Sequence, residues 1–158
     1  MTEGTVLITM AGKGSRFREA GYDQPKYEIL AHGRTLFQWS LETLKNFLSP
    51  QVRLVFVCLE ENHSVPFLES QRPTFSSKEV EILEIPQLTD GQATTAYLSK
   101  HLWKENGPLL IYNIDTYARP RSLRPSDIRL DSDGCIPCFR APGDHWSFVE
   151  LGNDGWAT

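Results

Sequence analysis

The sequence predicts an α/β fold, a three-layer α/β/α sandwich with a mostly parallel mixed sheet, on three observations. Apolar runs of strand length, at 5–10, 52–59, 80–85 and 109–114, alternate with segments of helical periodicity. The first run, Thr5–Met10, is β-branched and apolar throughout, as suits a central strand buried on both faces. Polar or glycine-bearing stretches follow three of the runs, at Gly12–Arg16, Gln87–Gly91 and Asp115. The carboxyl ends of such strands are where parallel sheets bind ligands.

Each element has a local cause. The first strand runs between Gly4 and Gly12, and 15–20 is expected as a short helix capped by Ser15 and stopped by Gly21. Gly21–Pro25 is loop, with Gln24 held extended by Pro25. A short extended piece at 28–31 turns at His32-Gly33-Arg34. The stretch 35–47 then carries Leu36, Trp39, Ser40, Leu44 and Phe47 at helical spacing, with Thr35 as cap and Ser49-Pro50 beyond its end. After the strand at 52–59, a polar loop leads to a helix at 63–71 with Pro66 in its first turn. The run at 80–85 alternates with glutamates and is expected as an edge or half-exposed strand. A helix at 92–104, capped near Asp90, is expected to turn Ala93, Ala96 and Tyr97 to the sheet. Asn106-Gly107-Pro108 stops it, and Asp115 ends the next strand. Two further strands are expected at 134–140 and 146–151, with a turn at Gly152–Gly155. A strand is expected to follow that turn, so the chain reads as truncated.

Composition bounds the function. A chain of 158 residues with 40% apolar and 23% charged residues suits one globular domain with a sizeable core. The net charge of −4 argues against a general nucleic-acid binder, so an anion site must be a local basic pocket. Three cysteines without a regular framework fit a reducing, cytoplasmic setting. No apolar run is long enough for a signal peptide or a membrane span. Cys135-x-x-Cys138 lacks the second pair a zinc site needs, and in a strand its thiols would face opposite ways. His32, His63, His101 and His145 share no ligand spacing. Asp131-x-Asp133 reads as a solvated turn.

The organising stretch runs from Val6 to Phe17, followed by Pro25-Lys26. It is a buried strand entering a loop of small residues, Ala11-Gly12-Lys13-Gly14-Ser15, then a basic helix. Such a loop can point free N–H groups outward, with the helix dipole adding positive charge. Lys13, Arg16 and Lys26 lie around it, and the simplest ligand for that surface is a polyphosphate. It is neither a dinucleotide fingerprint, since Phe17 holds the third glycine position, nor a P-loop. At the far strand end, Asp115 in Tyr-Asn-Ile-Asp-Thr has two readings: a helix cap, or a ligand for Mg²⁺, which binds one or two carboxylates plus phosphate oxygens and waters. Asn113 is expected to bond nearby backbone.

Gly12-x-Gly14-x-Arg16 with Pro25-Lys26 and Gly33 resembles the signature of the sugar-phosphate nucleotidylyltransferases, with Ala11 where the family usually has the first of two adjacent glycines. The resemblance covers nearly the whole chain. It implies a Rossmann-like, GT-A-like fold and one nucleotidyltransferase domain over 1–158 lacking its C-terminal portion. It also implies an NTP, with a pyrimidine favoured, and a phosphorylated small-molecule acceptor, with Mg²⁺ as cofactor. Arg16 and Lys26 would be catalytic, and Ala11, Gly12, Lys13, Gly14, Ser15, Gln87 and Gly91 would bind the nucleotide. The family carries a metal-binding aspartate where Asp115 stands. Trp146 and Ser147 resemble its strand bordering the acceptor, Ser147 standing where relatives often have a small glycine; by residue type alone the aromatic pair Trp146 and Phe148 also reads as core packing. The family's partner acid and its Glu-Lys sugar motif fall beyond this sequence. The implied reaction makes nucleotide sugars or similar precursors of surface polysaccharides. A GT-A glycosyltransferase and a non-catalytic nucleotide-binding module are the alternatives. A homo-oligomer remains open.

Overall fold

The computed structural model describes residues 3–129, 131–143 and 148–157. The chain forms two compact units, Met1–Asp127 and Ile128–Thr158. In the first, β1 (Gly4–Met10), β4 (Val52–Leu59), β5 (Glu79–Ile85) and β6 (Leu109–Asn113) make one parallel sheet in the order β5-β4-β1-β6. A small antiparallel hairpin, β2 (Leu30–Ala31) and β3 (Arg34–Thr35), lies apart from it and turns through His32 and Gly33, both at positive φ. The α/β fold predicted from the alternation is therefore present. β5 takes an edge, as its glutamates foretold.

Helices cover both faces because the central strands are apolar on both. On one face Leu7, Val55, Val57 and Leu59 pack with Ala96 of α4 (Gln92–Leu98). On the other, Phe56 stacks on Phe37 of α2 (Leu36–Leu44), 5.8 Å between rings. Phe37 in turn meets Phe67 of α3 (Val65–Gln71) edge-on at 5.1 Å. Aromatic pairs at these separations favour offset-stacked and edge-on geometries.

The expected caps are partly corrected. Thr35 does cap α2: its Oγ1 accepts from Gln38 N, while Gln38 Oε1 accepts from Thr35 N. The helix ends at Leu44, and Phe37, absent from the predicted stripe, is fully buried while Leu36 is only half-buried. The cap of α1 (Ser15–Glu19) is Gly14 at φ 64, with no side chain involved, rather than Ser15. Gly21 does stop it, its N–H reaching Arg18 O and that of Tyr22 reaching Phe17 O. α4 is preceded by Gly91 as its N-cap, not Asp90, and gives way to a 3-10 turn at Lys100–Leu102. Thr95, Ala96 and Ser99 are its buried side, while Ala93 and Tyr97 are exposed.

In the second unit the strand expected over 134–140 does not form. Pro137 sits mid-run without an N–H to give a ladder. Of the strand expected over 146–151, Trp146 and Ser147 lie outside the described residues, and Phe148–Glu150 is irregular. Leu151 makes an isolated antiparallel bridge to Ala157 around the predicted Gly152–Gly155 turn, where Gly152 N donates to Trp156 O.

Candidate active site at the carboxyl rim of the sheet

The strand order decides where the site lies. From β1 the chain steps outward through β4 to β5, then returns across α4 to β6 on the other side of β1. The switch point is thus between β1 and β6, where Thr9, one residue before the end of β1, is the register partner of Asn113, the last residue of β6. The glycine loop follows β1 and Asp115 follows β6, so both flank the crevice such sheets open to ligands.

The loop is open, as expected. Gly12 and Lys13 are exposed and Gly14 half-buried. Among the described residues the N–H groups of Gly12, Lys13, Gly14 and Ser15 make no hydrogen bond, the first turn of α1 being closed by Phe17 N and Arg18 N on Gly14 O. α1 has only five residues, so its dipole adds little and the free amides carry the anion-binding character. Lys13 and Lys26 line a cleft with Gly12, Gly14, Arg18 and Asn62. Arg16 is exposed on α1 and does not line that cleft; Arg18, which the sequence reading passed over, does. Its signal was spacing: on a helix, residues two apart face different ways.

Lys26 is held from below. It opens a 3-10 turn, Lys26–Glu28, after Pro25, and the next residue, Tyr27, is buried with its hydroxyl 2.6 Å from Ser64 Oγ and its ring 5.2 Å from Phe67. Burial pushes the Tyr27 phenol above its ordinary value, so this anchor stays neutral. The Lys26 stem lies along the glycine loop. A Cβ on Gly14 would sit 3.8 Å from its Cβ and Cδ, and one on Gly12 would sit 3.5 Å from its Nζ. The ammonium then reaches Asp115 Oδ2 at 2.8 Å, the lysine side chain 16% and the aspartate 34% exposed.

Asp115 is held from behind by α2. The buried Ser40 hydroxyl is 2.6 Å from Ile114 O and 3.0 Å from Thr116 O, the carbonyls either side of Asp115. Thr43 Oγ1 donates to Ala118 O and accepts from Ala118 N. Asp115 caps no helix, so of its two sequence readings the cap is removed. Its half-exposed carboxylate beside the open glycine loop has the chemistry of a Mg²⁺ ligand, an ion that takes one or two carboxylates with phosphate oxygens and waters. Among the described residues no group of three or more His, Cys, Asp or Glu is placed to hold a metal by side chains alone.

Asn113 was expected on backbone and is not. Its Oδ1 accepts from Gln92 Nε2 at 2.7 Å and from Thr9 Oγ1 at 3.1 Å, and Gln92 also reaches Thr9 Oγ1 at 3.2 Å. Gln92 and Thr9 went unremarked in the sequence because three distant segments supply the cluster. Gln87 and Gly91 are exposed on the loop entering α4. Thr89 and Thr95 clamp that loop through Gly91 O, and the space where a Gly91 side chain would stand is empty.

Sheet order, open glycine loop and the lysine–carboxylate pair together define a parallel α/β protein with a cation-bearing rim at the carboxyl ends of β1 and β6. No protein-family model matches the sequence, and no curated protein matches it. Solved structures do. The chain superposes on a nucleoside-diphosphate-sugar pyrophosphorylase from Vibrio cholerae RC9 with a TM-score of 0.80 and 31% identity, over 95% of this chain and 62% of that one. An inositol-1-phosphate CTP transferase from T. maritima matches at a TM-score of 0.66 and 21% identity, over 84% of this chain and 51% of that one. The chain thus spans less than two thirds of either. The resemblance to sugar-phosphate nucleotidylyltransferases read from Gly12 to Lys26 is matched by its structural neighbours.

Proposed function

We propose that the chain carries the NTP-binding part of a nucleotidylyltransferase, which moves NMP from an NTP to a phosphorylated small molecule and releases pyrophosphate. The observation that carries this reading is the row formed by the free glycine-loop amides, the Lys26 ammonium and the Asp115 carboxylate. The name of the Vibrio neighbour supports the same reaction class.

An acceptor phosphate oxygen attacks the α-phosphorus, and the bond to the β-phosphate oxygen breaks. Both reactants are anions, so the protein acts through position and charge, and needs no nucleophile of its own. The amides of Gly12–Ser15, with Lys13 and Arg18 on the cleft they line, hold the departing pyrophosphate. Lys26 lies between the α-phosphate and the incoming oxygen and offsets their repulsion. Asp115 holds Mg²⁺, which supplies charge neutralisation to the phosphates when bound. Gln87 and Gly91 take the base, where a side-chain amide that both donates and accepts suits a pyrimidine edge. The product class is a nucleotide sugar or related precursor for surface polysaccharide, made in the cytoplasm.

The test is pyrophosphate release by the protein on a panel of NTPs with pooled phosphorylated metabolites. Release that needs both an NTP and an acceptor supports transfer. Release of a nucleoside diphosphate from a nucleotide sugar would favour a glycosyltransferase instead, and binding without turnover a non-catalytic module.

A further inference from the structure

We propose that Lys26 is a latch on Asp115: its ammonium keeps the carboxylate from divalent cations until a phosphate on the glycine loop draws the ammonium away. The inference rests on the reading above, in which the loop seats a phosphate and Asp115 holds a cation.

The ammonium is within reach of two groups. It is 2.8 Å from Asp115 Oδ2. It is also 3.5 Å from where a Gly12 side chain would begin, so a phosphate seated against Gly12 would touch it. One ammonium therefore serves either the carboxylate or the phosphate. While it serves the carboxylate, one carboxylate oxygen is occupied, and a divalent ion on the other would lie close to a like charge.

The backbones at both ends are anchored, so the moving part is the lysine stem. Ser40 pins the carbonyls flanking Asp115 from the buried face of α2. Tyr27 pins the backbone beside Lys26 through Ser64. Between these anchors lies a side chain with four rotatable bonds, resting on glycines that leave it room. Cation and triphosphate then bind with positive coupling, and by linkage each raises the affinity of the other.

The test is a pair of double-mutant cycles on the full chain, each variant checked for native circular dichroism. In the first, Mn²⁺ is titrated without nucleotide and read by electron paramagnetic resonance. Lys26→Met binds Mn²⁺ about fivefold tighter than wild type, and the gain disappears in Lys26→Met/Asp115→Asn. Lys13→Met, which removes a charge from the same loop but not the latch, changes Mn²⁺ affinity less than about twofold. In the second, inorganic tripolyphosphate is titrated in EDTA by calorimetry. Asp115→Asn binds it about fivefold tighter than wild type, and that gain disappears in the Lys26→Met background.

Equal Mn²⁺ affinity in wild type and Lys26→Met overturns the latch, as does an equal gain from Lys13→Met. If tripolyphosphate binds wild type and Asp115→Asn alike, the latch fails and the phosphate cradle stands. If tripolyphosphate binds none of the proteins, the cradle itself fails and takes the latch with it.

Discussion

The Lys26 ammonium sits 2.8 Å from the Asp115 carboxylate, joining residues 89 apart in sequence across the switch point of the sheet. The pair is partly exposed, so it contributes no more than about 1 kcal/mol to stability. On the proposed reading it puts a cation and an anion where phosphates would meet. Lys26→Ala and Asp115→Ala are therefore expected to lower turnover by about 10²-fold or more, while thermal melts move by only a few degrees. Steady-state rates on the folded variants check this, and near-normal rates would remove both residues from the mechanism.

The two loop glycines separate a backbone requirement from a ligand requirement. Gly14 caps α1 at φ 64, a left-handed conformation that costs a residue with a Cβ about 1–2 kcal/mol. Gly12 is not at positive φ, and a Cβ there makes only ordinary contact with Lys26 Nζ. Gly14→Ala is expected to lower unfolding stability by about 1 kcal/mol. Gly12→Ala should leave stability within about 0.5 kcal/mol of wild type while weakening tripolyphosphate binding. Denaturant melts and calorimetry on the two variants decide it.

Ser40 and Thr43 both tie α2 to the chain after β6, but at different distances from the chemistry. Ser40 holds the carbonyls beside Asp115, and Thr43 holds Ala118. Replacing either by alanine leaves polar backbone unpaired and costs about 1–3 kcal/mol. Ser40→Ala is expected to lower turnover well beyond Thr43→Ala at equal loss of stability. Equal rates in the two would show that Ser40 has no positioning role.

At the opposite end of the sheet Glu79 takes hydrogen bonds from Arg53 at 3.0 Å and Lys104 at 3.3 Å. The Arg53 bond first, then the Lys104 bond, hold the Glu79 carboxyl below its usual range. A depressed carboxylate stabilises the fold above its unfolded value, and this is lost as pH falls through the folded one. Glu79→Gln should then be less stable than wild type near neutrality, with the difference closing in acid. The group is exposed, so high salt should shrink the difference as well. Denaturant melts across pH at two salt concentrations test both statements.

The cysteines differ sharply in reach. Cys58 is buried in β4, where burial pushes its thiol up to about 11, while Cys135 and Cys138 are exposed. A thiol reagent at neutral pH is expected to label Cys135 and Cys138 quickly, and Cys58 only after denaturant is added. Peptide mapping of the native and unfolded protein distinguishes the sites.

What local chemistry could determine, the sequence alone determined. Strand alternation, the edge character of β5, the Thr35 cap and the Gly21 stop are written in neighbouring residues, and so is the open loop from Gly12 to Ser15. Each depends on side chains within a few positions of one another. In two places a backbone constraint within the same stretch overrode the expectation. Gly14 displaced Ser15 as a cap because only it takes the left-handed angle, and Pro137 denied a ladder to its strand. The pairing of Lys26 with Asp115, the grip of Ser40 on the Asp115 loop and the Thr9–Gln92–Asn113 cluster belong to the tertiary structure. They exist because the sheet order brings the ends of β1 and β6 side by side and lays α2 and α4 against opposite faces. Strand order is set by how the whole chain buries its apolar surface, and no short stretch of residues encodes that.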